Sequence, residues 1–277
     1  MSQNGRKDIK LILTDIDGTI LPYGETTVSP ICLEAFHAAM GAGIHIGPIS
    51  GRGAARISPV FGGKTSHFNT MLATNGMQIY IDGVAVRELH IDRRPLGKIA
   101  ELIQDVPKSG LACFDGPDAL VIRGSIEDLT ASFPVYGPTA RYVDEIPHTP
   151  IDKANVFTPY DLKITNTIAD MLRSAVPELD YAVPHPGFIT MTPKGWNKGA
   201  AVQAACDELD LQLEQVVVFG DGGNDVEMLS HVPNSVAVAG ASPEAKAAAR
   251  WHIGAVEDDA VPAAIMALAR GEWPFTE

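Results

Sequence analysis

The sequence predicts an α/β protein, a doubly wound parallel-sheet core interrupted by an α+β insertion, and three observations carry that prediction. Apolar runs at residues 11–13, 44–49 and 215–220 read as strands buried on both faces, as in a parallel sheet. Each ends in polar side chains: Asp15 and Asp17 after the first, Ser50 after the second, Asp221 after the third. From about residue 88 to 191 the pattern changes to short strands and helices, broken by prolines at 134, 138, 147, 150, 159, 177, 184 and 186. That stretch reads as a separate domain, leaving residues 1–87 and 192–277 as the two halves of the core and 88–191 as the insertion.

The elements follow in order. Leu11 to Thr14 delivers Asp15 and Asp17 where the strand must end, and Gly18-Thr19 turns the chain. After a polar loop over 22–27, Ser29-Pro30 reads as an N-cap and first-turn proline. Ile31, Ala35, Phe36, Ala39 and Met40 mark the buried side of that helix, which stops at Gly41-Ala42-Gly43. The strand over 44–49 ends at Ser50-Gly51-Arg52-Gly53. Two nucleotide motifs are rejected here. Gly41-Ala42-Gly43 follows a helix and lacks the dinucleotide spacing, and Gly63-Lys64-Thr65 has Ser58 where a P-loop needs its first glycine.

A strand over 71–74 runs into Asn75-Gly76, and residues 78–81, Asp82-Gly83 and 84–86 form a hairpin signature. Inside the insertion, helical stretches over 96–106 and 164–175 alternate with strands such as 119–123 and 188–191. The core pattern resumes at Gly195. Asn197 can cap a helix with apolar positions Ala201, Val202, Ala205 and Leu209. The strand 215–220 then runs into Asp221-Gly222-Gly223-Asn224-Asp225, which opens a helix over 226–230. Strands over 235–239 and 251–253 and an Ala-rich helix over 261–270 complete the chain.

Totals narrow the function. At 277 residues the chain allows one or two domains, and 45% hydrophobic residues with Lys+Arg 21 against Asp+Glu 34 describe a soluble acidic protein. A net charge of −13 argues against a nucleic-acid partner, which needs a basic surface. It also repels phosphorylated ligands at long range, so any phosphate site must be built locally. Cys32, Cys113 and Cys206 are odd in number and sit in apolar surroundings, so buried reduced thiols are expected. The polar start over residues 1–7 and the lack of any 18-residue apolar run point away from a membrane and make the cytoplasm the default compartment. Oligomeric state is open.

Chemistry concentrates at the strand ends. In an extended chain Asp15 and Asp17 project to one side, and crowded carboxylates persist only with a cation between them or a proton on one. A solvated Asp-x-Asp-Gly turn is the plain alternative for that tetrapeptide alone. Lys198 falls in the first turn of a helix, where the dipole disfavours a cation, so it is expected to point at something anionic; a solvated surface lysine is the plain alternative, and Lys194 is a rival for the same role. Ligands of open α/β sheets sit beyond the carboxyl ends of the strands, where Asp15, Asp17, Ser50 and Asp221 converge.

Taken together, Asp15-x-Asp17-Gly18-Thr19, Ser50 after an apolar strand, Lys198 before a helix and Gly220-Asp221-x-x-Asn224-Asp225 resemble, in order, the four motifs of the haloacid dehalogenase superfamily. Size, the Asn75-Gly76 hairpin and Gly195-x-x-Lys198-Gly199 look like its Cof-like phosphatase branch, with a Rossmann-like core and a C2-type cap. The resemblance covers both halves of the core; in the cap only the general pattern matches. Ser50 stands where the family often has Thr, and Gly240-Ala241 replaces a common Asn-Ala.

The resemblance implies that Asp15 is the nucleophile and Asp17 the acid and base. Mg2+ would be held by Asp15, the main-chain carbonyl of Asp17, Asp221 and Asp225, the last as ligand or support. Ser50, Asn224 and Lys198 would grip the phosphoryl oxygens, with N–H groups near Gly18 and Gly51. It implies a phosphatase of small phosphorylated metabolites, sugar phosphates or a cofactor such as pyridoxal phosphate, whose cap closes over the substrate. His185, Phe188 and Arg123 are candidates for lining the cap pocket, with a packing role the stronger reading for each. A sugar phosphomutase and a non-enzymatic phosphosensor are the alternatives; Asp17 argues against the second.

Overall fold

The computed structural model describes residues 8–276, so the polar start lies outside the described residues. The chain forms two compact units, one of residues up to 87 and from 198 on, the other of residues 88–197. Among the described residues no helix is long and apolar enough to cross a membrane.

In the first unit, β1 (Leu11–Thr14) is wholly buried, and α1 (Pro30–Gly41) starts at Ser29, whose hydroxyl accepts from the Cys32 N–H at 3.0 Å. The buried face of α1 is Cys32, Ala35, Phe36 and Ala39. Ile31 was expected on that face, yet it is 51% exposed. The i, i+3, i+4, i+7 stripe begins at Cys32, and Ile31 sits one position off it. Next come β2 (His45–Pro48), β3 (Thr70–Ala73), β4 (Gln78–Ile81) and β5 (Val84–Glu88), the last three forming an antiparallel ribbon. Residues 82 and 83, both at positive φ, make its turn.

The second unit opens with α2 (Arg93–Leu102), which stops four residues short of the expected end at 106. Pro107 disfavours helical backbone at Val106, and Lys108 at φ 54° continues the turn. Then come β6 (Gly110–Asp115), β7 (Asp118–Arg123), α3 (Ile126–Ser132), β8 (Arg141–Tyr142), β9 (Ala154–Phe157), α4 (Leu162–Ala175), β10 (Leu179–His185) and β11 (Phe188–Pro193). They build one six-stranded sheet, β10-β11-β9-β6-β7-β8, antiparallel except at β7–β8. Its core includes Phe114, Tyr136, Phe157 and Phe188. Phe188 is therefore a packing residue, with the His185 ring stacked 5.7 Å from it, and the Arg123 guanidinium donates to the Ile122 carbonyl.

The return to the core was expected at 192, but it falls after 197. Thr192 and Pro193 still pair with Asp180 and Leu179 in β11–β10, and Asp180 also accepts from the Gly195 N–H and the Lys194 ammonium. Back in the first unit are α5 (Lys198–Leu209), β12 (Val216–Gly220), α6 (Val226–His231), β13 (Ser235–Ala237), α7 (Pro243–Ala248), β14 (Trp251–His252) and α8 (Ala260–Ala269). The sequence reading passed over α7, although Ser242-Pro243 repeats the Ser29-Pro30 start and Ser242 accepts from the Ala245 N–H.

The core sheet is parallel, ordered β14-β13-β12-β1-β2. From β1 the chain moves one way to β2, and from β12 the other way to β13 and β14. The switch point thus lies between β1 and β12, where a crevice opens beyond the strand ends. β3 extends the sheet past β2 through the Ile49–Leu72 bridge. The two strands approach so closely there that a Cβ on Gly47 would stand 1.5 Å from the Thr70 carbonyl oxygen. The three cysteines are free and buried as expected, and burial pushes each thiol up, Cys32 and Cys113 to about 12 and Cys206 to about 11.

Gly47→Ala is expected to lose about 1–3 kcal/mol of stability, the range for overpacking, read as a lower midpoint in urea unfolding. An unchanged midpoint would show that β2 and β3 part without cost.

Candidate active site

At the switch point Asp15 follows β1, and its N–H donates to the Phe219 carbonyl of β12 at 2.9 Å. Asp221 follows β12. Between them the chain from Asp15 makes a tight turn in which the Ile16 carbonyl accepts from the N–H groups of Thr19, Ile20 and Leu21. Gly18, at φ 81°, is required there: a Cβ would stand 2.4 Å from Asp221 Oδ2. Thr19 Oγ1 donates to Asp221 Oδ1 at 2.7 Å and Tyr23 Oη to Oδ2 at 3.3 Å, which fixes that carboxylate.

Lys198, the first residue of α5, is buried, and its ammonium sits 2.5 Å from Asp15 Oδ1 and 2.6 Å from Asp225 Oδ1. The second oxygen of Asp225 accepts from the N–H groups of Asp221 and Gly222 at 3.0 and 2.9 Å. Asp15, Asp221 and Asp225 each present an oxygen within 4.8 Å of the others, a set able to hold a metal ion. A cation was expected between Asp15 and Asp17; instead Lys198 bridges Asp15 and Asp225.

Asp17 stands apart from that triad. Its carboxylate takes a two-pronged ion pair from Arg52, Nε to Oδ2 at 2.9 Å and the terminal nitrogen to Oδ1 at 2.6 Å. A metal role for Asp17 therefore rests on its main-chain carbonyl, not its side chain. Ser50 is buried, its hydroxyl accepting the Arg52 N–H at 3.2 Å and its carbonyl the Asn75 N–H at 2.8 Å. Gly51 lies between them, its Cα so near Asn75 that a Cβ would be 3.4 Å from Oδ1. Asn224 Nδ2 donates to Asn75 Oδ1 at 3.2 Å, which joins the ends of β2, β3 and β12.

Sequence reasoning missed Arg52, Tyr23 and Asn75 as members of the site. Asn75 had a usable signal, because it too follows a buried strand, and residues 74–76 all take positive φ to aim it inward. Arg52 and Tyr23 lie in loops whose partners are set only by the fold.

Electrostatics follow from crowding. Burial raises Asp15 well above the ordinary carboxylate range; Lys198 opposes this, while Asp225, Asp221 and Asp17 add to it. Burial and then Asp225 push Asp221 up to about 6, against the hydrogen bond from Thr19. Burial works against the Lys198 ammonium, but Asp15 and Asp225 outweigh it and hold the group above its usual value. Such a set is short of positive charge and accepts a divalent cation readily.

Comparison with known proteins shows the family. A family model described as haloacid dehalogenase-like hydrolase matches residues 12–265. A 5-amino-6-(5-phospho-D-ribitylamino)uracil phosphatase of Escherichia coli K12 is 23% identical, with 97% of this chain and 99% of that protein covered. An HMP-PP phosphatase of Yersinia pseudotuberculosis is 26% identical, with 86% of each covered. The solved structure of a subclass IIB sugar phosphatase superposes with a TM-score of 0.79 at 20% identity, covering 94% of this chain and 98% of that one, and it supports the fold.

Two outcomes are expected. Lys198→Met leaves Asp15 and Asp225 facing each other unpaired, so unfolding in the presence of chelator should show a loss of about 3–5 kcal/mol. Divalent-cation affinity should fall with acidity: a carboxyl at about 6 is ionised above that pH and must shed a proton to bind below it. Calorimetric titration at pH 5 should therefore give roughly tenfold weaker binding than at pH 7.5.

Proposed function

The chain belongs to the haloacid dehalogenase-like hydrolases and is a phosphoric monoester hydrolase, and on that premise we propose that it is a Mg2+-dependent phosphatase of small phosphorylated metabolites acting through an aspartyl phosphate on Asp15. The observation that carries this reading is the buried ammonium of Lys198 on Asp15 and Asp225, inside a triad of carboxylates at the sheet's switch point. An all-oxygen donor set fits a hard divalent ion. Asp15, Asp221 and the Asp17 carbonyl would hold Mg2+, with Asp225, which takes Lys198 on one oxygen and two main-chain N–H groups on the other, as a further ligand or support. When bound, the ion supplies charge neutralisation for the phosphoryl oxygens.

The residues do the rest. Asp15 attacks phosphorus in line; the bond to the ester oxygen breaks, and Asp17 gives its proton to the departing alkoxide. Asp17, now a carboxylate, takes a proton from the water that attacks the aspartyl phosphate. Phosphate leaves, and Asp15 is regenerated. Arg52 holds Asp17 in a two-pronged ion pair, which must open for Asp17 to pass a proton to the leaving oxygen. Lys198, Ser50 and Asn224 position the phosphoryl group, because phosphoryl transfer is catalysed mainly by placement and charge. Gly51 contributes from the main chain.

The substrate class is a sugar phosphate or a phosphorylated ring compound such as pyridoxal phosphate. Relatives named as phosphatases of a ribitylaminouracil phosphate and of HMP-PP, and a structural neighbour named as a sugar phosphatase, support that range. Residues 88–197 serve as the specificity cap.

Phosphate release from a panel of phosphorylated sugars, nucleotides and pyridoxal phosphate tests the reading, with Mg2+ and with chelator. Release should require Mg2+, vanish in Asp15→Asn and fall roughly 10²–10⁴-fold in a folded Asp17→Asn. A folded wild type that releases phosphate from no ester would overturn it.

A further inference from the structure

We propose that Tyr23 is a stacking platform at the rim of the site and that the alcohol half of the substrate carries a flat aromatic or heteroaromatic ring. This deepens the phosphatase reading above and rests on it. The first observation is the split character of the side chain. Tyr23 is 79% exposed, the largest exposure of any big apolar side chain among the described residues, yet its hydroxyl is pinned to Asp221 Oδ2 at 3.3 Å. The Tyr23 hydroxyl oxygen lies 2.8 Å from where a Gly18 Cβ would stand. One end of the ring is tied into the carboxylate cluster while its face is open to water.

The second observation is where the ring's loop is anchored. Leu21 bridges to Asp17, and its carbonyl accepts the Gly18 N–H at 2.9 Å. Pro22 fixes the next φ, and its carbonyl accepts the Glu25 N–H at 3.1 Å. The platform therefore hangs from the turn that carries Asp17, the group that protonates the leaving oxygen. A ring placed there adjoins the leaving alcohol, while Ser50, Asn224 and Lys198 attend to the phosphoryl group.

Tethering also gives the ring its value. A tyrosine has two side-chain torsions, and one already held by its hydroxyl loses little freedom when a ligand lies on its face. Offset stacking of two rings is favoured beyond the area it buries. Aliphatic alcohols gain only contact.

The test compares pyridoxine 5′-phosphate with glycerol 2-phosphate in wild type, Tyr23→Ala, Tyr23→Phe and Tyr23→Trp. Tyr23→Ala should raise KM for the ring ester roughly three- to tenfold more than for the aliphatic one. Tyr23→Phe and Tyr23→Trp, each with a ring kept and the hydroxyl tether lost, should both restore part of the preference. Equal changes for both esters, or no rescue by Trp, would overturn the platform. If the wild type releases phosphate from neither ester nor from any member of the panel above, the phosphatase reading has failed; equilibrium binding of pyridoxine 5′-phosphate then decides, and an equal Kd in wild type and Tyr23→Ala overturns the proposal.

Discussion

The ion pairs of Lys198 are the interaction on which the rest of the site depends. Three carboxylates, Asp15, Asp221 and Asp225, are brought out of water within a few ångströms, an arrangement that burial and mutual repulsion both oppose. One ammonium, itself excluded from water, reaches two of them. It does so from the first turn of α5, against the local dipole, so its placement is stabilised by those carboxylates and not by the helix. Without it, the ends of β1 and β12 would carry like charges facing each other.

Geometry is set one layer further out by the backbone. Asp225 is held twice, by Lys198 and by the N–H groups of Asp221 and Gly222, so it braces the turn that follows β12. Asp221 is oriented by Thr19 and Tyr23, both from the segment after β1. The segment after β1 thus steadies the side chain at the end of β12 across the switch point. The third strand end joins through Asn75, which ties Ser50 to Asn224 and lets β2, β3 and β12 share one frame.

Much of this was legible in the sequence because it follows from short-range rules. Buried strands announce themselves as apolar runs, and polar residues at their ends have one place to converge. Lys198 stood out because it breaks a local preference, and a broken preference marks a partner elsewhere. Where local signals compete, the reading slipped: Ile31 satisfies apolar periodicity but lies off the stripe, and helix-forming residues up to 106 yield to Pro107. Partners chosen by the fold alone were not legible. Arg52 reads as a loop arginine until Asp17 is placed beside it, and Tyr23 as a solvated aromatic until Asp221 is found at its hydroxyl.

The charge balance explains how an acidic chain can take an anionic substrate. Around the site, Asp15, Asp17, Asp221 and Asp225 face Lys198 and Arg52, four carboxylates against two cations, on a protein whose net charge is −13. With every carboxylate ionised the site is short by two positive charges, the charge of one divalent ion; burial, reinforced by the neighbouring carboxylates, raises Asp15 and Asp221. A phosphate dianion meeting the uncompensated cluster would be repelled both locally and at long range. A divalent cation held by these carboxylates would cancel that deficit, favour the ionised form of Asp15 and leave Lys198 able to serve an anionic ligand as well as the carboxylates.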